Sequence, residues 1–161
     1  VIISTFLYAR KLHIPFFQLT DFIAPLIPPG LGFGRLGNFI GGELWGRTTE
    51  LPWGMVFPHV DQLPRHPSQI YQFMLEGLVL FIILWWFSSK KPPRMAVSGM
   101  FMLCYGSFRF LIEFVRAPDQ HIGFIAFNWM TIGQLLSLFM LIPGAFLLYR
   151  SYHMYTNGKK M

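Results

Sequence analysis

The sequence predicts an all-α protein, a polytopic bundle of transmembrane helices with one interrupted helix and extracytoplasmic loops. The first observation is composition: 53% of the 161 residues are hydrophobic and 18% are aromatic, but only 12% are charged. Soluble domains carry about 25% charged residues. The second observation is a succession of apolar runs near the ~20 residues that cross a bilayer as a helix. We therefore expect a single membrane domain over residues 1–161.

The apolar runs place the spans in chain order. Residues 1–9 resemble the end of an apolar helix, so we expect the chain to be the C-terminal portion of a longer protein. Pro15 starts a connector in which Asp21 is placed to cap the next helix. The approximate spans are 1–9 (partial), 22–40, 68–87, 95–115 and 129–149.

The second span is predicted to be interrupted, because prolines break it at Pro25, Pro28 and Pro29 and glycines follow. Irregular backbone at membrane depth is tolerated only where it is buried in protein or faces a water-filled cavity. Residues 41–67 are rich in Gly and Pro, which predicts a loop. Within that loop we expect a short interfacial hairpin at Leu51–Pro58.

The basic residues predict the orientation of the spans. One set of helix ends carries Arg10, Lys11, Lys90, Lys91, Arg94, Arg150, Lys159 and Lys160. In the opposite loops, acidic residues balance or outnumber the arginines: Glu43, Glu50, Asp61 and Asp119 against Arg47, Arg65 and Arg116. The positive-inside rule puts the first set in the cytoplasm. The net charge of +6 therefore reflects membrane topology, and we expect no nucleic-acid partner.

Four ionisable residues lie within or next to the apolar spans: Arg35, Glu76, Arg109 and Glu113. Such groups are costly in a bilayer unless they are paired or hydrated, so each is a candidate for function. Arg109, Glu113 and Arg116 follow at intervals of four and three residues, hence on one helical face. They form either part of a binding site or a self-neutralising ladder that only locks helices together.

The stretch from Gly34 to Arg47 concentrates charge, amide and glycine at the end of an apolar run. Arg35 and Asn38 are three residues apart and face one cavity if the segment is helical. A guanidinium binds a phosphate or carboxylate in a fork. Arg35 and Arg109, both opening towards the outer leaflet, predict a site for an anionic lipid headgroup, although interrupted helices with charges also build transporter sites.

His66, Pro67, Ser68 and Gln69 start the third span. They form either a helix N-terminal cap, with Ser68 or His66 bonded to free amides, or a site where His66 or Gln69 orients a headgroup. The single cysteine, Cys104, excludes an intrachain disulfide and a cysteine metal cluster. No histidine has metal-ligand spacing, and we expect neither a metal nor a cofactor.

Four motifs together resemble the bacterial prolipoprotein diacylglyceryl transferases: Gly34–Phe39, Gly42–Arg47, His66–Tyr71 and Tyr105–Asp119. They occur in the order and at the spacing of that family. Gly41 stands where the family commonly has Asn, and Gln72 stands where an acidic residue is frequent. The family's His-Gly-Gly motif would lie upstream of Val1, and His66 is not its equivalent.

The resemblance implies a multi-pass enzyme of the bacterial inner membrane with its active site facing the periplasm. Such enzymes move the diacylglyceryl group of phosphatidylglycerol onto the lipobox cysteine of prolipoproteins, recognised by the signal peptide. The implied catalytic residues are Arg35, Arg109, Glu43 and Tyr105. The implied substrate-binding residues are Arg35, Asn38, Gly46, Arg109, Glu113 and Arg116, to which we add His66 and Gln69 as candidates.

The chemistry of such a transfer agrees with these residue types. The attacking thiol must become a thiolate, and the departing phosphate must be held by preorganised positive charge. We expect Arg35 and Arg109 to supply that charge, with Glu43 or Glu113 orienting an arginine. Two alternatives use the same residues without chemistry: a transporter or lipid-binding module, and a structural membrane subunit. A transporter is expected to have paired broken segments, and the sequence contains one, near Pro25–Gly34.

Overall fold

Helices make up most of the computed structural model, which describes residues 1–117 and 130–158. In chain order the helices are α1 Ile2–Lys11, α2 Phe16–Ile23, α3 Ile27–Ile40, α4 Ser68–Gln72, α5 Leu80–Ser89, α6 Ala96–Ile112 and α7 Ile132–Gly158. Two short strands, β1 Met55–Val56 and β2 Pro64–Arg65, pair in antiparallel orientation. The largest helix–helix interface is between α6 and α7.

The interrupted helix is present but starts earlier than expected. It begins at Phe16 rather than Phe22, because Pro15 has extended backbone and precedes the first helical turn. A 3-10 turn at Ala24–Leu26 separates α2 from α3, and Pro25 lies in that turn. Pro28 and Pro29 occupy the first turn of α3, where a missing amide proton breaks no helical hydrogen bond. The glycines that follow remain helical as far as Ile40.

Asp21 does not cap the helix that follows it, so that expectation is wrong. Its carboxylate lies inside α2 and accepts hydrogen bonds from the backbone amides of Met95 and Ser98, at 2.6 and 2.8 Å. The Ser98 hydroxyl donates to the same carboxylate at 2.6 Å. Asp21 therefore supplies the acceptors for the first turn of α6, from a position 74 residues earlier in the chain.

The third span is helical from Ser68 to Ser89, with a π-helical segment at Phe73–Val79 between α4 and α5. π-Helical turns are rare and frequently lie at functional sites. The π-helical segment packs on α3 through two glycines. A Cβ added to Gly77 would lie 2.8 Å from the Cα of Gly32, so nothing larger than glycine fits between the two backbones.

The helices at the fourth and fifth predicted spans form an antiparallel pair. The predicted span 95–115 is helical over Ala96–Ile112. The predicted span 129–149 corresponds to α7, which extends to Gly158 and contains Pro143; Trp129 lies outside the described residues. Close contact between the pair depends on small residues, because a Cβ on Gly99 would lie 3.0 Å from the carbonyl oxygen of Gly144.

The expected hairpin at Leu51–Pro58 is wrong in its register. Met55 pairs with Arg65 and Val56 with Pro64, so the hairpin connects residues 55 and 65, and Leu51 and Pro52 precede it. The Asp61 carboxylate accepts hydrogen bonds from the Leu63 amide and the Arg65 guanidinium inside its turn. These local bonds stabilise the connection between β1 and β2, which begins after Val56.

Two helical stretches are long and apolar enough to cross a membrane, Ser68–Ser89 and Ile132–Gly158, and α6 is a shorter apolar helix. Large hydrophobic side chains on these helices are exposed, including Ile82, Trp85, Phe139 and Ile142. A protein–lipid boundary accounts for that exposure better than water does. The chain is therefore a mostly helical membrane protein. Lys159, Lys160 and Asp119, which entered the orientation argument, lie outside the described residues.

Candidate active site

Five charged side chains from three parts of the chain form an alternating row. Arg35 contacts Glu76 at 3.4 Å, and Glu76 faces Arg109 at 3.8 Å. Arg109 in turn contacts Glu113 at 3.2 Å, and Glu113 contacts Arg116 at 3.6 Å. The Glu76 side chain is completely buried, whereas Arg35 retains 19% and Arg109 16% of its side-chain exposure. The arginines therefore remain accessible to a ligand, while the carboxylates do not.

Backbone packing brings the first two members of the row together. Arg35 lies one turn after Gly32 on α3, and Glu76 directly precedes Gly77 in the π-helical segment. Because Gly32 and Gly77 touch backbone to backbone, the two charged side chains meet at short range. The other face of α3 is open, since a Cβ on Gly34 or Gly37 would have no atom within 4 Å.

Helix spacing places the rest of the row. Arg109, Glu113 and Arg116 follow one another at the end of α6, as their intervals of four and three residues predict. Tyr105 lies one turn before Arg109 and stacks on Phe101 with the ring planes 5° apart. Its phenol is close enough to Arg35, Arg109 and Glu76 to interact with all three.

Two buried side-chain amides precede Glu76 on the same helical stretch. Gln69 and Gln72 are completely buried and lie on the same side of their helix as Glu76. The Gln69 amide donates to the carbonyl of Glu43, but its own oxygen has no partner among the described residues. Neither polar atom of the Gln72 amide has a partner there. A buried amide without partners costs about 1–3 kcal/mol, so these groups favour a polar ligand.

Three backbone segments, at Gly46, His66 and Val115, cross beside the end of α6 that carries the charged row. The Gly46 amide donates to the carbonyl of His66, and the Arg47 amide donates to the carbonyl of Val115. A Cβ on Gly46 would lie 2.5 Å from the His66 oxygen, so glycine is required where the segments cross. The Arg47 guanidinium donates to the carbonyl of Arg116, which links the loop to the end of α6.

Several predicted site residues lie outside the charged row. Glu43 is exposed and makes no ion pair with the described arginines, so of the two acids expected to orient an arginine only Glu113 does so. Asn38 is half-buried and its side chain makes no hydrogen bond to a described residue. Gly46 has a structural role at the crossing. His66 lies beside Tyr71, with its Nδ1 3.3 Å from the phenol.

The cap expected from Ser68 or His66 is absent from the described residues. Pro67 precedes α4 as its N-cap, and no side chain caps that helix. The Ser68 hydroxyl donates instead to the carbonyl of Leu44 at 2.8 Å. The start of α4 is therefore bonded to the loop that follows α3, which holds α4 against the Gly34–Arg47 stretch.

Glu76 is the member of the site to which the sequence argument assigned no role. It was identified only as an ionisable residue within an apolar span, although it contacts both arginines. One signal was available: no basic residue lies within one turn of Glu76 on its own helix, so its partner had to come from another helix.

The row is suited to an anion and not to a metal ion. Arg35 and Arg109 share the single carboxylate of Glu76, so the Arg35–Glu76–Arg109 triad has a formal charge of +1. No group of three or more potential metal-ligating side chains occurs in residues 1–117 and 130–158. An anion placed between the guanidiniums would gain charge-assisted hydrogen bonds without displacing either arginine.

The fold defines a mostly helical membrane protein, and its charged row places two partly accessible arginines on a buried carboxylate between the helices. Comparison with known proteins specifies the family. A family model described as "Prolipoprotein diacylglyceryl transferase" matches residues 1–150, and the chain belongs to that family. The resemblance inferred from the four motifs is thereby confirmed.

Named relatives agree with the family model. The "Phosphatidylglycerol--prolipoprotein diacylglyceryl transferase" of Coxiella burnetii (strain RSA 331 / Henzerling II) is 58% identical over 152 residues, which cover 94% of this chain and 58% of the relative. Proteins of the same name from Azotobacter vinelandii and Teredinibacter turnerae are 59% and 60% identical, over 90% and 94% of this chain. The matches cover 55% and 53% of those two relatives, so the chain spans little more than half their length.

Proposed function

We propose that the protein transfers the diacylglyceryl group of phosphatidylglycerol to the thiol of a prolipoprotein's lipobox cysteine, the first step of bacterial lipoprotein maturation. The observation that carries the proposal is the Arg35–Glu76–Arg109 triad, with accessible guanidiniums on both sides of a buried carboxylate. The names of the relatives supply the two substrates.

The reaction forms a C–S bond at a glyceryl carbon and breaks the bond from that carbon to the phosphate oxygen. The cysteine thiol releases its proton to a base or to water and attacks as thiolate, and the electron pair of the broken bond leaves with glycerol phosphate. The phosphate group has one negative charge as a diester and gains a second on departure. Two guanidiniums placed before the reaction stabilise that developing charge without reorganisation.

Each residue near the triad has a role in this proposal. Arg35 and Arg109 bind the phosphate, and Glu76 orients both guanidiniums and prevents them from repelling each other in the empty site. Glu113, which also pairs with Arg116, holds Arg109 from its other side. Tyr105 lies within reach of the phosphate position, and the Gln72 and Gln69 amides face the headgroup glycerol hydroxyls. Glu43, Asn38 and His66 lie outside the charged row, and we place the approach of the prolipoprotein signal peptide on their side of the site.

The proposal includes the wider arrangement of the protein. The chain forms one multi-pass membrane domain in the bacterial inner membrane, with the triad on the periplasmic side. Its support is that basic residues lie at the end of the helices opposite the triad. The open glycine face of α3 leaves room for acyl chains beside Arg35.

A transfer assay tests the reaction and the site together. The protein is reconstituted with phosphatidylglycerol and a peptide that carries a lipobox cysteine, and mass spectrometry measures addition of a diacylglyceryl mass. We expect addition with the wild type and a loss of at least about 100-fold with Arg35→Ala, because one preorganised charge is removed. Arg10→Ala removes an exposed arginine at the opposite end of the bundle and is the matched control.

Two results would contradict the proposal. Near-normal transfer by Arg35→Ala would remove Arg35 from the site. A folded wild type that binds phosphatidylglycerol but adds nothing to the peptide would instead support a transporter or lipid-binding module that uses the same arginines.

A further inference from the structure

A second cleft combines positive charge with apolar walls at the end of the bundle away from the triad. It has a volume of about 360 Å³ and lies between the start of α2, the residues before α6 and the C-terminal part of α7. Its walls include Phe16 and Phe17 from α2 and Phe146 and Leu147 from α7. Two arginines, Arg94 and Arg150, complete the lining. We infer that this cleft binds an anionic phospholipid, with its phosphate on Arg94 and Arg150 and its acyl chains along the apolar walls.

Hydrogen bonds keep the backbone segments that carry Arg94 and Arg150 next to each other. Ser151 follows Arg150 and is buried, and its hydroxyl contacts the carbonyl oxygens of Arg94 and Pro93 at 2.8 and 3.1 Å. These contacts bind α7 to the connector before α6. Arg94 and Arg150 therefore lie on neighbouring backbone segments at the same level of the bundle, although 56 residues separate them in sequence.

No described acid neutralises this pair. Arg94 and Arg150 are exposed, and neither makes a salt bridge to residues 1–117 or 130–158. The nearby carboxylate is Asp21, which shares a neighbouring depression with Arg94. Its oxygens already accept hydrogen bonds from Met95 and Ser98. The arginines thus contrast with Arg35 and Arg109, which share a buried carboxylate.

The chemistry of the cleft selects a lipid rather than a soluble anion. Two unpaired guanidiniums suit a phosphate diester, which carries one negative charge and offers two oxygens to forked donors. Basic pockets between transmembrane helices are known to bind lipid headgroups. A free phosphate would use the arginines and leave the aromatic walls uncovered. A lipid covers the phenylalanines and pairs the charges at once.

Lipid retention measured by native mass spectrometry tests this inference. The full protein is purified in detergent and titrated with phosphatidylserine, and bound lipids are counted for each variant. We expect Arg94→Gln with Arg150→Gln to weaken retention of one lipid by about 30-fold, since each basic residue near a membrane surface contributes roughly fivefold. The triad is unchanged in both proteins, so it contributes equally to their lipid counts.

Matched variants separate the cleft from general surface charge and from misfolding. Lys90→Gln with Lys91→Asn removes two charges from the same connector outside the cleft, and we expect retention to stay at the wild-type level. Arg94→Lys with Arg150→Lys keeps the charge and is expected to restore most of the binding. Thermal unfolding in detergent checks that each variant is folded.

The outcomes are decisive in both directions. Equal weakening by Lys90→Gln with Lys91→Asn would assign the effect to general surface charge and overturn the proposed lipid site. Unchanged retention in the folded double arginine variant would overturn it as well. Phosphatidylcholine, which has no net charge, is expected to bind equally to the wild type and to the Arg94→Gln, Arg150→Gln variant. Inorganic phosphate at millimolar concentration is expected not to displace the lipid, and displacement would mean a free-phosphate site instead.

Discussion

Positive charge is held in different ways at the two ends of the bundle. At the end of α6, Arg109 lies between two buried carboxylates, and Arg35 reaches one of them from another helix. At the opposite end, Arg94 before α6 and Arg150 in α7 are exposed and make no ion pair with a described residue. Asp21, the described acid that shares a depression with Arg94, is bonded to backbone amides.

The difference follows from depth and packing. Guanidiniums enclosed between helices must be paired, because an unpaired charge away from water costs several kcal/mol. Arginines at a helix end reach water and headgroups and need no internal partner. Under the proposed function, the internal acids hold Arg35 and Arg109 ready to receive the phosphate. In the inferred cleft, the lipid itself would supply the anion for Arg94 and Arg150.

The largest effect on stability is expected from removing the buried Glu76 carboxylate, which pairs with Arg35 and Arg109. Glu76→Ala leaves Arg35 and Arg109 facing each other without their shared carboxylate. We expect a loss of about 3–5 kcal/mol in the free energy of unfolding, since removal of one partner strands a buried charge. Chemical denaturation in detergent micelles measures it. Glu50→Ala, at an exposed loop acid, is the control and should change stability by less than about 0.5 kcal/mol.

The next effect comes from the backbone contact that brings Arg35 to Glu76. Gly77→Ala places a methyl group 2.8 Å from the Cα of Gly32, so α3 must move away. We expect a loss of about 1–3 kcal/mol in the free energy of unfolding, with reduced transfer activity. Gly30→Ala on the open face of α3 has no atom within 4 Å and should not destabilise the protein. Equal effects of the two substitutions would refute the packing argument.

A smaller effect is expected at the other end of α6. Asp21→Ala removes the acceptors for the Met95 and Ser98 amides, and loss of a helix cap costs about 0.5–2 kcal/mol. The same denaturation measurement should show a smaller loss for Asp21→Asn, which retains one acceptor oxygen. A null result for Asp21→Ala would mean that water replaces the carboxylate without cost.

The smallest effect concerns an ion pair outside the bundle. The Arg65 guanidinium lowers the pKa of Asp61 below its ordinary value of about 4. The pair therefore stabilises the fold above that ordinary value, and its contribution disappears as the pH falls through the lowered pKa of the folded state. Because the Asp61 side chain is about a third exposed, water and salt weaken the pair. Asp61→Asn should remove a small part of the pH dependence of the unfolding midpoint between about pH 5 and pH 2, and less at high salt.

Helix spacing allowed part of the site to be predicted without coordinates. The order Arg109, Glu113, Arg116 specifies one helical face, and the structure contains both contacts. The partner of Arg35 could not be predicted in this way. Glu76 is 41 residues away, and only the Gly32–Gly77 contact between helices determines that the two meet. Of the two acids expected to orient an arginine, Glu113 contacts Arg109, whereas Glu43 lies past the end of α3 and makes no ion pair with a described arginine.

The sequence by itself determined the local features of this protein: its apolar helices, the interruption at Pro25, the family motifs and the ladder at the end of α6. These depend on composition and on spacings of a few residues, which helix geometry converts directly into structure. The tertiary structure alone decided the capping of α6 by Asp21, the crossing at Gly46 and the triad around Glu76. Each joins residues from distant parts of the chain, so it depends on which helix faces pack together.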